Sequence, residues 1–276
     1  MPELPEVETV VRSLSKSLTG RRITTVSVLH PPSVSGSPAK PLCVCGHRIL
    51  QVFRRGKFIR IELEAGLGMA IHLRMTGWLG ILPSAIRGGK YEPHVRLRLS
   101  LDDGLDQLVF RDIRTFGRVW FGPSKTIDAL KALAKLGPEP LEISADAFAS
   151  RLRSRQGRLK ALLLNQEFLA GVGNIYADES LFAACLHPLS RATGIKISRA
   201  HDLHAAIQSV LSAAIRAGGS SVDNFLAPDG QPGWFQRELR VYGRHGQGCS
   251  TCDTPIKRIV IGQRGTWFCP CCQKRR

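Results

Sequence analysis

The 276-residue sequence has no long apolar run. Its longest, such as 181–186, fall far short of the roughly 18 residues that a membrane span needs. The N-terminus carries acids at Glu3, Glu6 and Glu8 and no apolar core of a leader, so no signal peptide is expected. No internal repeat or low-complexity tract is visible. With 43% hydrophobic and 22% charged residues the composition is that of a globular chain, which excludes disordered, collagen-like and coiled-coil classes. Acids are also scarce: 22 Asp+Glu face 39 Lys+Arg, a formal charge of +17. A soluble intracellular protein is expected, whose positive excess attracts a polyanion, most often nucleic acid and occasionally an anionic membrane surface.

The excess is unevenly placed. Residues 234–276 hold nine Lys/Arg against two Asp/Glu, and two further clusters are Arg54, Arg55, Lys57 and Arg60, and Arg151, Arg153, Arg155, Arg158 and Lys160. One such cluster is ordinarily a solvated face; three in one chain favour phosphate contacts.

Of eight cysteines, Cys43, Cys45 and Cys185 read as ordinary small residues. The others form Cys249-x2-Cys252, then sixteen residues, then Cys269-Pro-Cys271-Cys272. Two knuckles at this separation supply four thiolates for a tetrahedral zinc ion. Cys272 completes the second knuckle by spacing and Cys271 is the spare thiol, although the two could exchange. Between the knuckles Ile256, Ile259 and Ile261 alternate with basic residues, a β-hairpin far too small to fold without metal.

Periodicity gives an α+β organisation. Val7, Val10, Val11, Leu14 and Leu18 share one face of a helix over 5–18. Ile59, Ile61 and Leu63, and then Val95, Leu97, Leu99 and Leu101, alternate with polar residues, the second run ending at an Asp103-Gly104 turn. With 23–29, 49–53, 69–73 and 107–110 these predict a two-layer β-sandwich. Helical patterns follow over 127–136, 145–155, 159–165, 175–185 and 200–217, then a long loop over 218–233 rich in Gly, Ser and Pro. The expected domains are 1–125, 126–233 and 234–276.

Four stretches could carry chemistry. If Met1 is removed, Pro2 becomes a secondary α-amine; with a pKa of about 7.7–8.0, roughly 10% of it is neutral at pH 7, against about 0.04% of an ordinary lysine. Such an amine suits imine chemistry, with Glu3 and Glu6 near enough to shuttle protons. The alternative is a proline at a helix start with acids favouring its dipole. Gly171-Val172-Gly173-Asn174 could present backbone N–H groups to phosphate or simply cap a helix. In His72-Leu73-Arg74-Met75-Thr76-Gly77 and Asp112-Ile113-Arg114-Thr115-Phe116-Gly117, Met75 and Phe116 are either core residues or apolar wedges for unstacking bases.

Taken together, the chain resembles the bacterial formamidopyrimidine-DNA glycosylases over essentially its whole length. The matching stretches arrive in order: PELPEVE, RRGK ending at Lys57, HLRMTG, YEPH, DIRTFG, LLLNQEFLAGVGNIYADESLF, PGWFQRELRVYGR and TWFCPCCQ. The related endonuclease VIII group typically begins PEGPE, so Leu4 points to the purine-directed branch. The resemblance implies an N-terminal helix with a β-sandwich, a helix–two-turn–helix domain and a zinc-finger hairpin. It implies a glycosylase and abasic-site lyase removing 8-oxoguanine and formamidopyrimidines, with Pro2 as nucleophile, Glu3 moving protons, Glu6 in support, and Lys57 and Arg264 completing the catalytic set. His72, His94, Asn174 and Tyr242 would grip the DNA, Lys160 would read base or backbone, and Met75, Arg114 and Phe116 would fill the gap left by the extruded base. Cys249, Cys252, Cys269 and Cys272 would hold one structural Zn2+. The partner implied is damaged double-stranded DNA, met by a monomer in the bacterial cytoplasm, at the nucleoid, with no membrane and no diffusible cofactor.

The chain departs from the family pattern at two places. Asn165 stands where Asp is common, and Asp223, within Ser220-Ser221-Val222-Asp223-Asn224, stands where Arg is typical, reversing the charge near the flipped base. Base preference is therefore the open feature. An endonuclease VIII-like pyrimidine glycosylase, a non-catalytic zinc DNA-binding protein and a ribosome-associated zinc ribbon are the competing readings.

Overall fold

The computed structural model describes residues 1–85, 92–102, 104–222 and 225–275. Tyr91 of the YEPH stretch, Asp103 of the expected turn, and Asp223 and Asn224 of the altered loop lie outside the described residues. The chain divides into two compact units: Met1–Ala134 with Ala217–Trp234, and Lys135–Arg216 with Phe235–Arg276.

In the first unit, helix α1 (Leu4–Leu18) begins with Pro5 in its first turn, where a missing N–H costs nothing. Glu3 and Glu6 form a reciprocal capping box over its N-terminus. Its apolar stripe of Val7, Val10, Val11, Leu14 and Leu18 is buried, as the spacing predicted. Two antiparallel four-stranded sheets follow. One has the order β1 (Ile23–Val28), β6 (Val95–Leu101), β7 (Asp106–Asp112), β5 (Gly77–Pro83); the other is β2 (Ile49–Arg55), β3 (Phe58–Leu63), β4 (Leu67–His72), β8 (Arg118–Pro123). Side chains of α1 and both sheets enter one apolar core, the sandwich expected from the alternation.

The alternation in β3 is only half the story, because Phe58 and Arg60 are buried as well as Ile59 and Ile61. Arg60 donates to the Met69 carbonyl and pairs with Asp128 at the end of α2 (Ser124–Asp128). The helix expected over 127–136 is two short ones, α2 and α3 (Lys131–Ala134), the first of which ends at Asp128.

The second unit contains α4 (Ala145–Arg153), α5 (Leu159–Leu164), α6 (Asn174–Ala183) and α7 (Ile197–Arg216), and a hairpin of β9 (Lys257–Ile261) and β10 (Arg264–Phe268). Residues 175–182 of α6 are buried on every side. The two turns between α5 and α6 are stitched by Gln166. Its amide nitrogen donates to the Leu164 and Val172 carbonyls, and its oxygen accepts from Gly171 N–H. Asn165 accepts from Glu167 N–H at 2.9 Å. A side-chain oxygen is all that contact uses, so Asn serves there as Asp would. No described helix is long and apolar enough to cross a membrane.

Candidate active site

Strand register gathers the sequence-predicted groups of the first unit. Phe58 lies opposite His72, which lies opposite Arg118; in the other sheet Gly77 lies opposite Asp112. The turn carrying Lys57, the 73–76 loop and the 113–117 loop thus leave the sandwich at one end. Helix α1 is tied to that end too. Glu8 pairs with Arg54 Nε at 3.0 Å, and Arg54 donates to the Gly56 carbonyl beside Lys57.

Pro2, Glu3 and Glu6 are buried at the start of α1. The Glu6 carboxylate accepts Glu3 N–H at 2.8 Å through one oxygen and Ser220 N–H at 2.7 Å through the other. A buried carboxylate needs such donors to offset its lost hydration. One side chain therefore joins the chain's start to the segment Ala217–Trp234. That segment belongs with the sandwich although it follows the helices. Phe225 enters the core and Trp78 Nε1 donates to the Ala227 carbonyl at 3.1 Å. Gly219 sits at φ +82°, and a Cβ there would meet the Glu6 carboxylate at 2.8 Å, so only glycine fits.

His72 is buried edge-on against Phe58, ring centroids 4.6 Å apart. Its Nδ1 accepts from Arg74 N–H at 3.0 Å, which leaves Nε2 to carry the proton. Burial first, then the charges of Arg74 and Lys57, lower its pKa to about 3, so the ring is neutral at physiological pH. Lys57 is itself buried. Met75 is half-buried, His94 likewise, and Phe116 is 48% exposed with the Arg114 guanidinium 4.7 Å over its ring. An exposed aromatic stacked under a cation is costly on an idle surface and suited to contact.

In the second unit, Asn174 opens α6 and donates to the Gly265 carbonyl of β10 at 3.0 Å. Lys160 is 0% exposed; its Nζ lies 2.7 Å from Asp178 Oδ1 and 2.9 Å from the Asn174 carbonyl. Expected at the DNA, its ammonium is instead committed to an internal carboxylate, because a charge at that depth must be paired. Burial outweighs the pull of Lys160 and raises the Asp178 pKa to about 7. Asp178 also accepts Trp267 N–H at 3.1 Å, and Glu179 accepts the N–H groups of Arg240, Val241 and Tyr242 at 2.8–3.0 Å. These two acids, missed by the motif reading, anchor the hairpin and the segment before it. Their signal was visible: adjacent carboxylates inside an otherwise apolar helix. Tyr242 packs against Trp267 with ring centroids 4.5 Å apart and planes tilted by 55°, and Arg264 is exposed beside the tight turn of the hairpin, where Gly262 and Gln263 both take positive φ.

The sulfurs of Cys249, Cys252, Cys269 and Cys272 all lie within 4.8 Å of one another, with separations of 3.5–3.9 Å for three pairs. A tetrahedron with Zn–S bonds of about 2.3 Å has edges of about 3.8 Å, so the donor set fits the ion. The apolar cluster beneath, Phe182, Val241, Cys249, Ile256 and Cys269, is small, and metal must supply much of the hairpin's stability. The hairpin holds one structural zinc ion.

A buried Pro–Glu terminus, loops that expose a cation over an aromatic ring and a thiolate-clamped basic hairpin define a nucleic-acid-directed enzyme with a zinc finger. Three domain families match the chain: Formamidopyrimidine-DNA glycosylase N-terminal domain over residues 1–119, Formamidopyrimidine-DNA glycosylase H2TH domain over 136–225, and Zinc finger found in FPG and IleRS over 246–275. The formamidopyrimidine-DNA glycosylase of Solibacter usitatus is 46% identical over 277 residues, covering 100% of both chains, and that of Chloroflexus aggregans is 44% identical, covering 99% and 98%. Among solved structures, the MutM (Fpg) protein of Thermus thermophilus superposes with a TM-score of 0.88 at 39% identity over 100% of both chains. A Lactococcus lactis Fpg mutant bound to Fapy-dG DNA gives 0.89 at 35% identity, covering 99% of this chain and 100% of that one. The chain belongs to the formamidopyrimidine-DNA glycosylase family.

Proposed function

We propose that this chain is a base-excision-repair glycosylase and abasic-site lyase that removes oxidised purines through a Schiff base on Pro2. The observation that carries this is the buried terminus, where Glu6 holds both the Glu3 backbone and the Ser220 segment against the start of α1. Removal of Met1 frees the Pro2 amine. Its neutral nitrogen bonds to C1′ of the extruded nucleotide, the glycosidic bond breaks, and the base leaves with the electron pair and a proton. Glu3 moves protons as the sugar ring opens and an iminium forms at C1′. The iminium acidifies C2′; loss of that proton expels the 3′ phosphate, and a second elimination expels the 5′ phosphate. Hydrolysis then returns the secondary amine.

A base within a duplex must first be extruded. Met75, Arg114 and Phe116 occupy the gap. The buried Lys57 and the neutral His72, which keeps its proton on Nε2, serve the flanking phosphates, with His94 beside them. In the second unit Asn174, Tyr242 and the exposed Arg264 bind DNA. Lys160 acts through Asn174, whose carbonyl it holds. The zinc ion keeps the hairpin folded and takes no part in bond making. The enzyme acts as a monomer at the bacterial nucleoid.

Formamidopyrimidine recognition is supported by the Lactococcus complexes with Fapy-dG DNA, while another complex of that Fpg contains an oxidised pyrimidine. Excision from duplexes holding 8-oxoguanine, formamidopyrimidine or an oxidised pyrimidine decides between the readings. Preference for the two purine lesions is expected; equal or better activity on the pyrimidine would assign the chain the endonuclease VIII-like specificity.

A further inference from the structure

The two probe loops meet at a single buried carboxylate. Asp112 is 1% exposed, at the end of β7. Its Oδ1 accepts the Thr76 hydroxyl at 2.5 Å from the first loop and Arg114 N–H at 3.3 Å from the second. Its Oδ2 accepts Gly117 N–H at 2.6 Å. The Thr76 oxygen, having donated its proton to Asp112, accepts Arg114 N–H at 3.1 Å. One hydroxyl thus bridges the residue after Met75 to the backbone of Arg114.

Both loops need such restraint. Each contains a non-glycine residue in the left-handed region, Arg74 at φ +55° and Thr115 at φ +58°, a conformation that persists only where surroundings enforce it. Each also closes on a glycine that admits no side chain. A Cβ on Gly77 would strike the Leu73 carbonyl, and one on Gly117 would strike Phe110 and crowd Asp112. Arg96 Nε donates to the Asp112 carbonyl at 2.9 Å, and its Nη1 reaches the Pro93 carbonyl at 3.2 Å, so the turn bearing His94 is tied to the same point.

We infer that the Thr76 hydroxyl and the Asp112 carboxylate clasp the two loops into one rigid wedge, which makes both of them positioning residues for base extrusion. The inference rests on the reading of Met75, Arg114 and Phe116 as the group that fills the gap. A wedge pushed against stacked bases must not yield. If the loops moved independently, Met75 could enter while Arg114 and Phe116 lagged, and the base would fall back. Misplacement by about an ångström is enough to cost roughly a hundredfold in rate.

Thr76→Val keeps the shape and removes the hydroxyl; Thr76→Ser keeps the hydroxyl. Asp112→Asn replaces one acceptor oxygen by a donor facing other donors and is compared with both after thermal unfolding confirms its fold. Single-turnover excision of 8-oxoguanine from duplex DNA is measured beside strand cleavage at a preformed abasic site. A 2-aminopurine next to the lesion reports unstacking.

Thr76→Val should slow excision about 5- to 100-fold, the worth of one or two buried hydrogen bonds. It should delay the 2-aminopurine signal, while abasic cleavage changes far less. Thr76→Ser should behave as the parent. Equal behaviour of the Val and Ser variants would overturn the clasp, as would equal losses on lesion and abasic DNA. Met75→Ala, Arg114→Ala and Phe116→Ala test the underlying reading separately; unchanged excision in all three would remove the wedge and the clasp with it.

Discussion

The backbone N–H of Ser220 donates to Glu6 Oε1 across 2.7 Å, although 214 residues separate the two in sequence. The other oxygen of the same carboxylate holds Glu3. The position of Ser220 and the placement of Pro2 are therefore linked through one side chain. A glutamine at position 6 has only one acceptor for these two donors. Glu6→Gln should lower stability by about 1–3 kcal/mol, the cost of an unsatisfied buried donor, and should speed hydrogen exchange at Ser220. Gly219→Ala should act on the same joint by strain and collision with Glu6. Exchange at Ser220 unchanged in both variants would disconnect loop from terminus.

Lys160 and Asp178 form an ion pair with both side chains wholly buried. Removing one charge of such a pair costs about 3–5 kcal/mol, whereas removing both costs much less. Lys160→Met should therefore be strongly destabilised, and Lys160→Met with Asp178→Asn should recover part of the loss in denaturant unfolding. The pH dependence has a definite sign. The Asp178 pKa rises from 3.8 to about 7 on folding, so between those values the folded state binds more protons than the unfolded state. Stability from this group is present at low pH and lost as pH rises through about 7. Lys160→Met should steepen that loss; additive single-variant losses with a flat profile would contradict the pairing.

The thiol geometry selects Cys272 over Cys271 as the fourth zinc ligand. One zinc per chain is expected by elemental analysis. Cys271→Ser should keep the metal, and Cys272→Ser should lose it together with DNA binding. Loss in Cys271→Ser alone would reverse the assignment. Chelation of the parent protein should melt the hairpin and abolish tight DNA binding, because its own apolar cluster is too small to hold it.

Much of this was legible in the sequence where one physical demand dominates. Helix α1 shows because its five apolar residues follow a single stripe, and β6 because its apolar residues strictly alternate. Strands β5 and β8 were missed: β5 carries Gly77 and Gly80 and its burial does not alternate, and β8 ends in Gly122-Pro123. The run over 127–136 has helical character throughout, yet α2 ends at Asp128 and a second short helix begins at Lys131. Side-chain chemistry was readable where spacing encodes it, as in the four cysteines. It was not readable where partners are remote. Nothing near Lys160 in sequence announces Asp178, and nothing near Thr76 announces Asp112. Those partnerships exist only after the chain has folded, and one of them holds the Lys160 ammonium in the interior.

The most direct test is covalent. The protein is incubated with abasic-site duplex DNA and sodium borohydride, and the trapped adduct is digested and mapped by mass spectrometry. The adduct is expected on Pro2 of a chain whose mass lacks Met1, and Pro2→Gly should weaken or abolish it. An adduct on Lys57 or any other lysine, or a folded, DNA-binding protein that keeps Met1 and traps nothing, would contradict a Pro2 Schiff base.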